Sequence, residues 1–188
     1  MSGDISSDRS EAVSAMLEAD HGGGIDEIAA AVIAGLGARE WTVGTAESIS
    51  GGAVCAALTA LPGASSVVLG SVVSYATHIK AHLLNVDADL LSRRGAVDPD
   101  VALQMAHGVR HLLGADCAIA TTGSAGPDPA PGGTDVDNVD PGRVFLAVIT
   151  PDASWAEQLD FRGDRAEIRA ATVRSALHGL DRTLRQAT

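Results

Sequence analysis

Aromatic side chains are scarce: two Trp, two Phe and one Tyr, together 3% of 188 residues. That excludes an aromatic-rich binding face and calls for a core of small aliphatics, chiefly Ala and Val, in close helix-on-sheet packing. Cysteine is nearly absent as well. Cys55 and Cys117 are the only two, too few for a disulfide scaffold, and are read as free thiols. No apolar run reaches the roughly 18 residues of a membrane span. The polar, acidic start lacks the basic and apolar regions of a secretory signal, so a cytoplasmic chain that does not enter a membrane is expected. Basic residues number 13 against 24 acidic, for a net charge of −11. That balance disfavours nucleic acid as a partner, which needs a basic stripe to displace counterions. An anionic small ligand remains compatible, because backbone N–H groups can bind an anion locally. Lysine is the rarest of the basic types: Lys80 stands alone and every other cation is Arg.

What is present is a full complement of apolar residues, 46% of the chain, with a mean hydropathy of +0.17. The length suits one domain. Residues 1–24 read as a flexible tail rich in Ser, Asp, Glu and Gly, with a possible short helix near Glu11–Glu18, and residues 25–188 as the folded domain. Ile25, Ile28, Ala29, Val32 and Ile33 recur at helical spacing until Gly35 and Gly37. Strand patterns follow at Trp41–Ala46, Val67–Tyr75, Asp116–Thr122, Val144–Thr150 and Trp155–Phe161, the last two as a hairpin. Helices are expected at Ala53–Leu61, Thr77–Leu84, Asp87–Arg94, from Asp98-Pro99 to about Leu113, and from Asp164 nearly to Arg185, with Asp98 and Asp164 as caps. Strands alternating with helices, then a hairpin, predict an α/β three-layer α/β/α sandwich with a mixed sheet.

Four stretches have the residue types for chemistry. Thr45–Gly52 (TAESISGG) turns from a strand into a helix. Gly51 and Gly52 allow close backbone approach, and Ser48 could sit among free N–H donors; it could equally be an ordinary helix cap. Ser74–Lys80 (SYATHIK) holds the sole Tyr and the sole Lys. A buried Lys can lose its proton and serve as a base, which Arg cannot. A Ser–Lys pair assisted by Tyr75 is one route to an activated nucleophile; a solvated Lys and a core Tyr are the plain alternative. Thr121–Asp128 (TTGSAGPD) follows a strand, where ligands gather in open α/β sheets, and offers Thr122, Gly123, Ser124 and Gly126. Arg162–Arg165 opens the last helix, and Arg165 could clamp a phosphate or carboxylate. His78 with His82, and His107 with His111, share i, i+4 spacing, but without a third ligand they read as solvated faces and no metal is expected. Residues 123–142 form a loop too long to be idle. Its Asp135, Asp137 and Asp140 miss calcium-loop spacing, so it is read as flexible and acidic.

Taken in order, these pieces resemble the CinA C-terminal domain family, whose stand-alone members are nicotinamide-nucleotide amidases of the PncC type. The matching stretches are TAESISGG at 45–52, LPGASS at 61–66, GSVVSYATHIK at 70–80, RRGAVDPDVALQMAHGVRHLLGAD through 116, TTGSAGP at 121–127 and FRGDRAEIRAATVRSAL at 161–177. The resemblance implies an α/β/α fold, a homo-oligomer, and hydrolysis of the carboxamide of nicotinamide mononucleotide to the nicotinate form and ammonia, without a cofactor. It makes Ser48 the nucleophile, with Lys80 and Tyr75 as its catalytic partners. Gly51, Gly52, Thr122, Gly123, Ser124, Gly126 and Arg165 become substrate-binding residues for a small nucleotide. This chain departs from the family pattern at Ile49-Ser50, at Ala76–Ile79, and most of all in the acidic segment ending Asp140-Pro141-Gly142-Arg143. That last departure keeps two alternatives in view: a nucleotide-binding domain without catalysis, or a serine amidohydrolase acting on another small amide.

Overall fold

The structure, a computed structural model, describes residues 24–186. The tail read at 1–24 therefore lies outside the described residues apart from Gly24, and so does the short helix considered near Glu11–Glu18. Helix α1 (Ile25–Gly37) buries Ile28, Ala29 and Val32 of the expected stripe together with Leu36, while Ile25 and Ile33 are half-buried. Strand β1 (Val43–Glu47) is followed by α2 (Ala53–Thr59), a 3₁₀ turn at Ala64–Ser66 and β2 (Val68–Val73). Three helices then run in succession: α3 (Thr77–Leu84), α4 (Ala88–Arg94) and α5 (Pro99–Leu113). Strands β3 (Cys117–Gly123), β4 (Arg143–Ile149) and β5 (Ser154–Asp160) lead into the closing helix α6 (Arg165–Gln186).

The caps follow from side-chain chemistry. Asp98 Oδ1 accepts from the N–H groups of Asp100 and Val101, with Pro99 at the first turn, where no N–H is needed. Asp164 Oδ1 accepts from Ala166 and Glu167, while Glu167 Oε2 accepts from the Asp164 N–H. That is a capping box with Asp in the Ser/Thr position.

The sheet order is β2-β1-β3-β4-β5. Strands β2, β1 and β3 are parallel, and β4 and β5 add antiparallel beyond β3, so the sheet is mixed. β1 is buried at every position and β3 at all but its last, as befits inner strands covered on both faces. One core layer sets α1, α2 and α6 against Val43, Ile119, Leu146 and Val148. The other sets α3, α4 and α5 against Ala46, Ala118, Ala120, Phe145 and Ala147. The molecule is thus a three-layer α/β/α sandwich. The expected strand at Trp41–Ala46 starts two residues later and extends through Glu47, because the Glu47 backbone is in register with both Val73 and Thr121.

Small residues let the layers close. Gly108 of α5 lies against the backbone at Leu84, the end of α3; an added Cβ would sit 2.7 Å from the Leu84 carbonyl carbon and collide with its oxygen. Backbone cannot yield as a side chain can, so Gly108→Ala has to push α3 off α5. The expected cost is about 1–3 kcal/mol of stability, read as a lower urea midpoint at unchanged slope.

Candidate functional site

The parallel strands β2, β1 and β3 all end at one edge of the sheet, and the chain leaves β1 for β2 on one side and reaches β3 on the other. Open α/β sheets bind ligands outside the carboxyl ends of their strands at such a divergence. Ser48 follows β1, Ser74 and Tyr75 follow β2, and Thr122 and Gly123 end β3. Lys80, on α3, points back into this edge. Its side chain has no exposed surface. Its Nζ is 3.0 Å from Ser48 Oγ and donates to the Ser74 carbonyl at 2.6 Å. Burial penalises the ammonium and pulls its pKa down to about 8. The Ser–Lys pair that the sequence suggested is therefore assembled across 32 residues of chain.

The turn carrying Ser48 is held by two residues not selected as site residues from the sequence. Glu47, wholly buried, turns its carboxylate under the start of α2. Oε2 accepts from the N–H groups of Gly52 and Val54 and from Ser50 Oγ, at 2.8–3.0 Å. Oε1 accepts from the Cys55 N–H and Thr45 Oγ1. The carboxylate does the work of a helix cap, which the cap residue, Gly52, has no side chain to do. Ser50 Oγ also meets Thr121 Oγ1 at 2.7 Å, tying the turn to β3. From the opposite side, Arg169 of α6 donates to the carbonyls of Ile49 and Ser50 at 3.1 and 2.9 Å. A lone Glu closing an apolar strand just ahead of Gly-Gly is the signal that could have revealed Glu47. Nothing local to Arg169 distinguishes it from the other Arg residues of α6.

A cavity of about 330 Å³ opens over this pair. Of the residues singled out in the sequence, Ser48, Lys80, Tyr75, Thr122, Gly123 and Arg165 line it. Tyr75 is 64% exposed, and its hydroxyl lies 3.0 Å from Arg165 Nη2 at the rim, with no hydrogen bond to Ser48 or Lys80. Arg165 Nη1 donates to the Gly126 carbonyl. Thr122 Oγ1 donates to the Ala96 carbonyl at 2.6 Å, joining β3 to the α4–α5 turn.

Gly51, Gly52, Ser124 and Gly126 are not among the lining residues. The Gly52 N–H is taken by Glu47 and the Ser124 N–H by the Arg143 carbonyl, so neither donor is free for an oxyanion. Gly126 bears on the cavity through its hold on Arg165.

The long loop is not loose. Thr134 and Asp135 donate to the Ser92 and Arg93 carbonyls at the end of α4, and Ala130 and Val139 exchange backbone bonds. The expected flexible segment is thereby a docked wall, and Ala130, Pro131 and Gly132 face the cavity. Asp128, Asp135, Asp137 and Asp140 are all exposed, outside the lining. Among the described residues, Lys80 and Arg165 are the charged side chains of the lining, which includes no carboxylate. Arg143 pairs with Asp160 on the hairpin instead of facing the cavity. The four helical histidines are exposed, and no group of three candidate metal ligands occurs among the described residues. Cys55 and Cys117 are both free thiols, and burial pushes the Cys117 thiol up to about 12. Among the described residues, no helix is long and apolar enough to cross a membrane.

A fold of this order has counterparts among known proteins. The family described as "CinA C-terminal domain" matches residues 25–184. A CinA-like protein of Parasynechococcus marenigrum is 44% identical over 161 residues, 85% of this chain and 37% of the relative. One of Frankia casuarinae is 40% identical over 164 residues, 87% of this chain and 36% of the relative. The chain thus spans little more than a third of these relatives' length. Among solved structures, the competence damage-inducible protein A (ComA) of Klebsiella pneumoniae superposes with a TM-score of 0.81 at 33% identity, covering 88% of this chain and all of the other. Competence/damage inducible protein CihA of Agrobacterium tumefaciens gives 0.78 at 38% identity, covering 87% and 96%. The chain belongs to the CinA C-terminal domain family.

The buried Lys80 makes a thermodynamic prediction that requires no substrate. Its folded pKa is about 8 against an ordinary 10.5. Between those values the unfolded chain binds a proton that the native chain does not, so stability rises with pH across that window. The wild type should gain about 3 kcal/mol relative to Lys80→Met between pH 8 and 10.5, from urea unfolding of both chains at each pH. Parallel curves for the two would show that Lys80 is not depressed.

Proposed function

We propose that this domain is a serine amidohydrolase that converts nicotinamide mononucleotide to nicotinate mononucleotide and ammonia. The observation that carries the reading is the buried Lys80 nitrogen, 3.0 Å from Ser48 Oγ at the floor of a cavity. A lysine with a pKa near 8 is deprotonated in about a tenth of molecules at pH 7. Neutral Lys80 keeps one N–H on the Ser74 carbonyl and takes the Ser48 proton on its lone pair. Ser48 Oγ attacks the carboxamide carbon and the carbonyl oxygen becomes an oxyanion.

The Gly123 N–H is the donor best placed for that charge. Ser124 points its N–H at β4, and successive N–H groups along a strand face opposite sides, so that of Gly123 turns toward the β1 end and Ser48. Protonated Lys80 returns its proton to the leaving nitrogen, and ammonia departs. Water, deprotonated by Lys80, then releases the acid and restores Ser48. Arg165, braced by Tyr75 and Gly126, supplies the cation for the phosphate. Among the described residues the lining has no carboxylate to oppose that phosphate.

The docked wall at Ala130–Gly132 favours one second reading, in which the same dyad acts on another small amide whose shape that wall admits. A panel of carboxamides assayed beside nicotinamide mononucleotide separates the two.

Ammonia release should fall at least about 10³-fold in Ser48→Ala and in Lys80→Ala, with circular dichroism unchanged; wild-type turnover in either removes the dyad mechanism. The wild-type kcat/KM should climb about tenfold per pH unit below pH 8 and level above it, because only neutral Lys80 is the base. Arg165→Gln should raise KM by about 10-fold or more while changing kcat less.

A further inference from the structure

The turn after β1 is gripped by a residue outside the cavity lining, and that grip has the geometry of a positioning device. Arg169 sends Nε to the Ile49 carbonyl and Nη2 to the Ser50 carbonyl, so one planar guanidinium spans the Ile49–Ser50 and Ser50–Gly51 peptides, one residue beyond Ser48. It is half-buried and absent from the cavity lining. One helical turn ahead of it, Arg165 reaches the rim. The same face of α6 thus presents one arginine to the cavity rim and the next to the carbonyls of the turn.

Gly51 makes room for this contact. Its φ is +64°, and a Cβ there would lie 3.3 Å from Arg169 Nη2. A carbonyl and the next N–H share a peptide plane and point opposite ways. Fastening the Ile49 and Ser50 carbonyls to α6 therefore turns the Ser50 and Gly51 N–H groups away from α6. Glu47 holds the following N–H groups from beneath. On the other side of the turn the Ser48 N–H donates to the Thr121 carbonyl, so the Ser48 backbone cannot rotate without breaking that bond or the charge-assisted ones to Arg169.

We propose that Arg169 is a positioning residue that fixes Ser48 Oγ in its attacking orientation and takes no part in binding substrate. The inference rests on the Ser48 nucleophile of the preceding section. It is independent of which amide is cleaved.

The test measures Ser48 reactivity with a fluorophosphonate, alongside ammonia release from nicotinamide mononucleotide. In the labelling step Ser48 Oγ bonds to phosphorus, fluoride leaves and the hydroxyl proton passes to Lys80. Arg169→Ala is expected to label about 10- to 100-fold more slowly and to lose kcat in proportion. Its KM should stay within about threefold of wild type, and the rate should still climb toward pH 8, since Lys80 is untouched. Added guanidinium should restore part of both rates. Arg169→Lys, which can reach one carbonyl only, should fall between.

Wild-type labelling by Arg169→Ala overturns the proposal, and so does a loss confined to KM, which would make Arg169 a binding residue. If Arg169→Ala does not fold, Arg169→Lys decides: labelling equal to wild type overturns the proposal and an intermediate rate supports it. A wild-type chain that labels at Ser48 yet leaves nicotinamide mononucleotide intact removes the substrate assignment alone. One that neither labels nor hydrolyses overturns both readings.

Discussion

An ammonium withdrawn from water is costly unless it is paired, and among the described residues Lys80 has no carboxylate to pair with. Its nitrogen meets a carbonyl and a hydroxyl, and no part of its side chain is exposed. The native structure accommodates this by favouring the neutral amine. Much of the architecture is bent to that purpose. β2 ends so that the Ser74 carbonyl accepts from the nitrogen, α3 begins within one turn of it, and α5 presses against the end of α3 at Gly108. A strained electrostatic state is maintained by ordinary packing around it.

The Ser48 side of the pair is organised around an acidic side chain. Glu47 is as deeply buried as Lys80, yet its carboxylate gathers backbone and hydroxyl donors from β1, α2 and the turn between them. An acceptor surrounded by donors is satisfied in place. The two buried ionisable groups therefore play different parts. One is held by its hydrogen bonds and anchors the start of α2. The other is destabilised in its charged form and so is available as a base. With Arg169 on the carbonyls of the same turn, Ser48 sits between a fixed frame and a labile amine.

The fold was legible because its signals are local. Asp98-Pro99 and Asp164 start helices where their side chains cap them, and the stripe Ile28, Ala29, Val32 on α1 packs where its spacing places it. The Val144–Thr150 and Trp155–Phe161 patterns pair as the expected hairpin. The pairing of Ser48 with Lys80 was legible for a chemical reason: a single lysine in an arginine-rich chain needs explaining, and the ordered motifs supplied the partner. The loop at 123–142 was misread as flexible because its composition is acidic and rich in Gly and Pro. Its order comes from backbone bonds to Ser92 and Arg93, which no local pattern encodes.

The sequence by itself determined the layer architecture, the helix starts and the residue types available for proton transfer, since propensity, capping and periodicity act within a few residues. Which N–H groups stay free was decided only in three dimensions, where Glu47 claims Gly52 and the Arg143 carbonyl claims Ser124. So was the depth of Lys80, the turning outward of the loop carboxylates, and the choice of Arg169 from several equivalent arginines. Hydrogen-bond partnership and desolvation depend on which distant segments meet, and that is settled when the layers close.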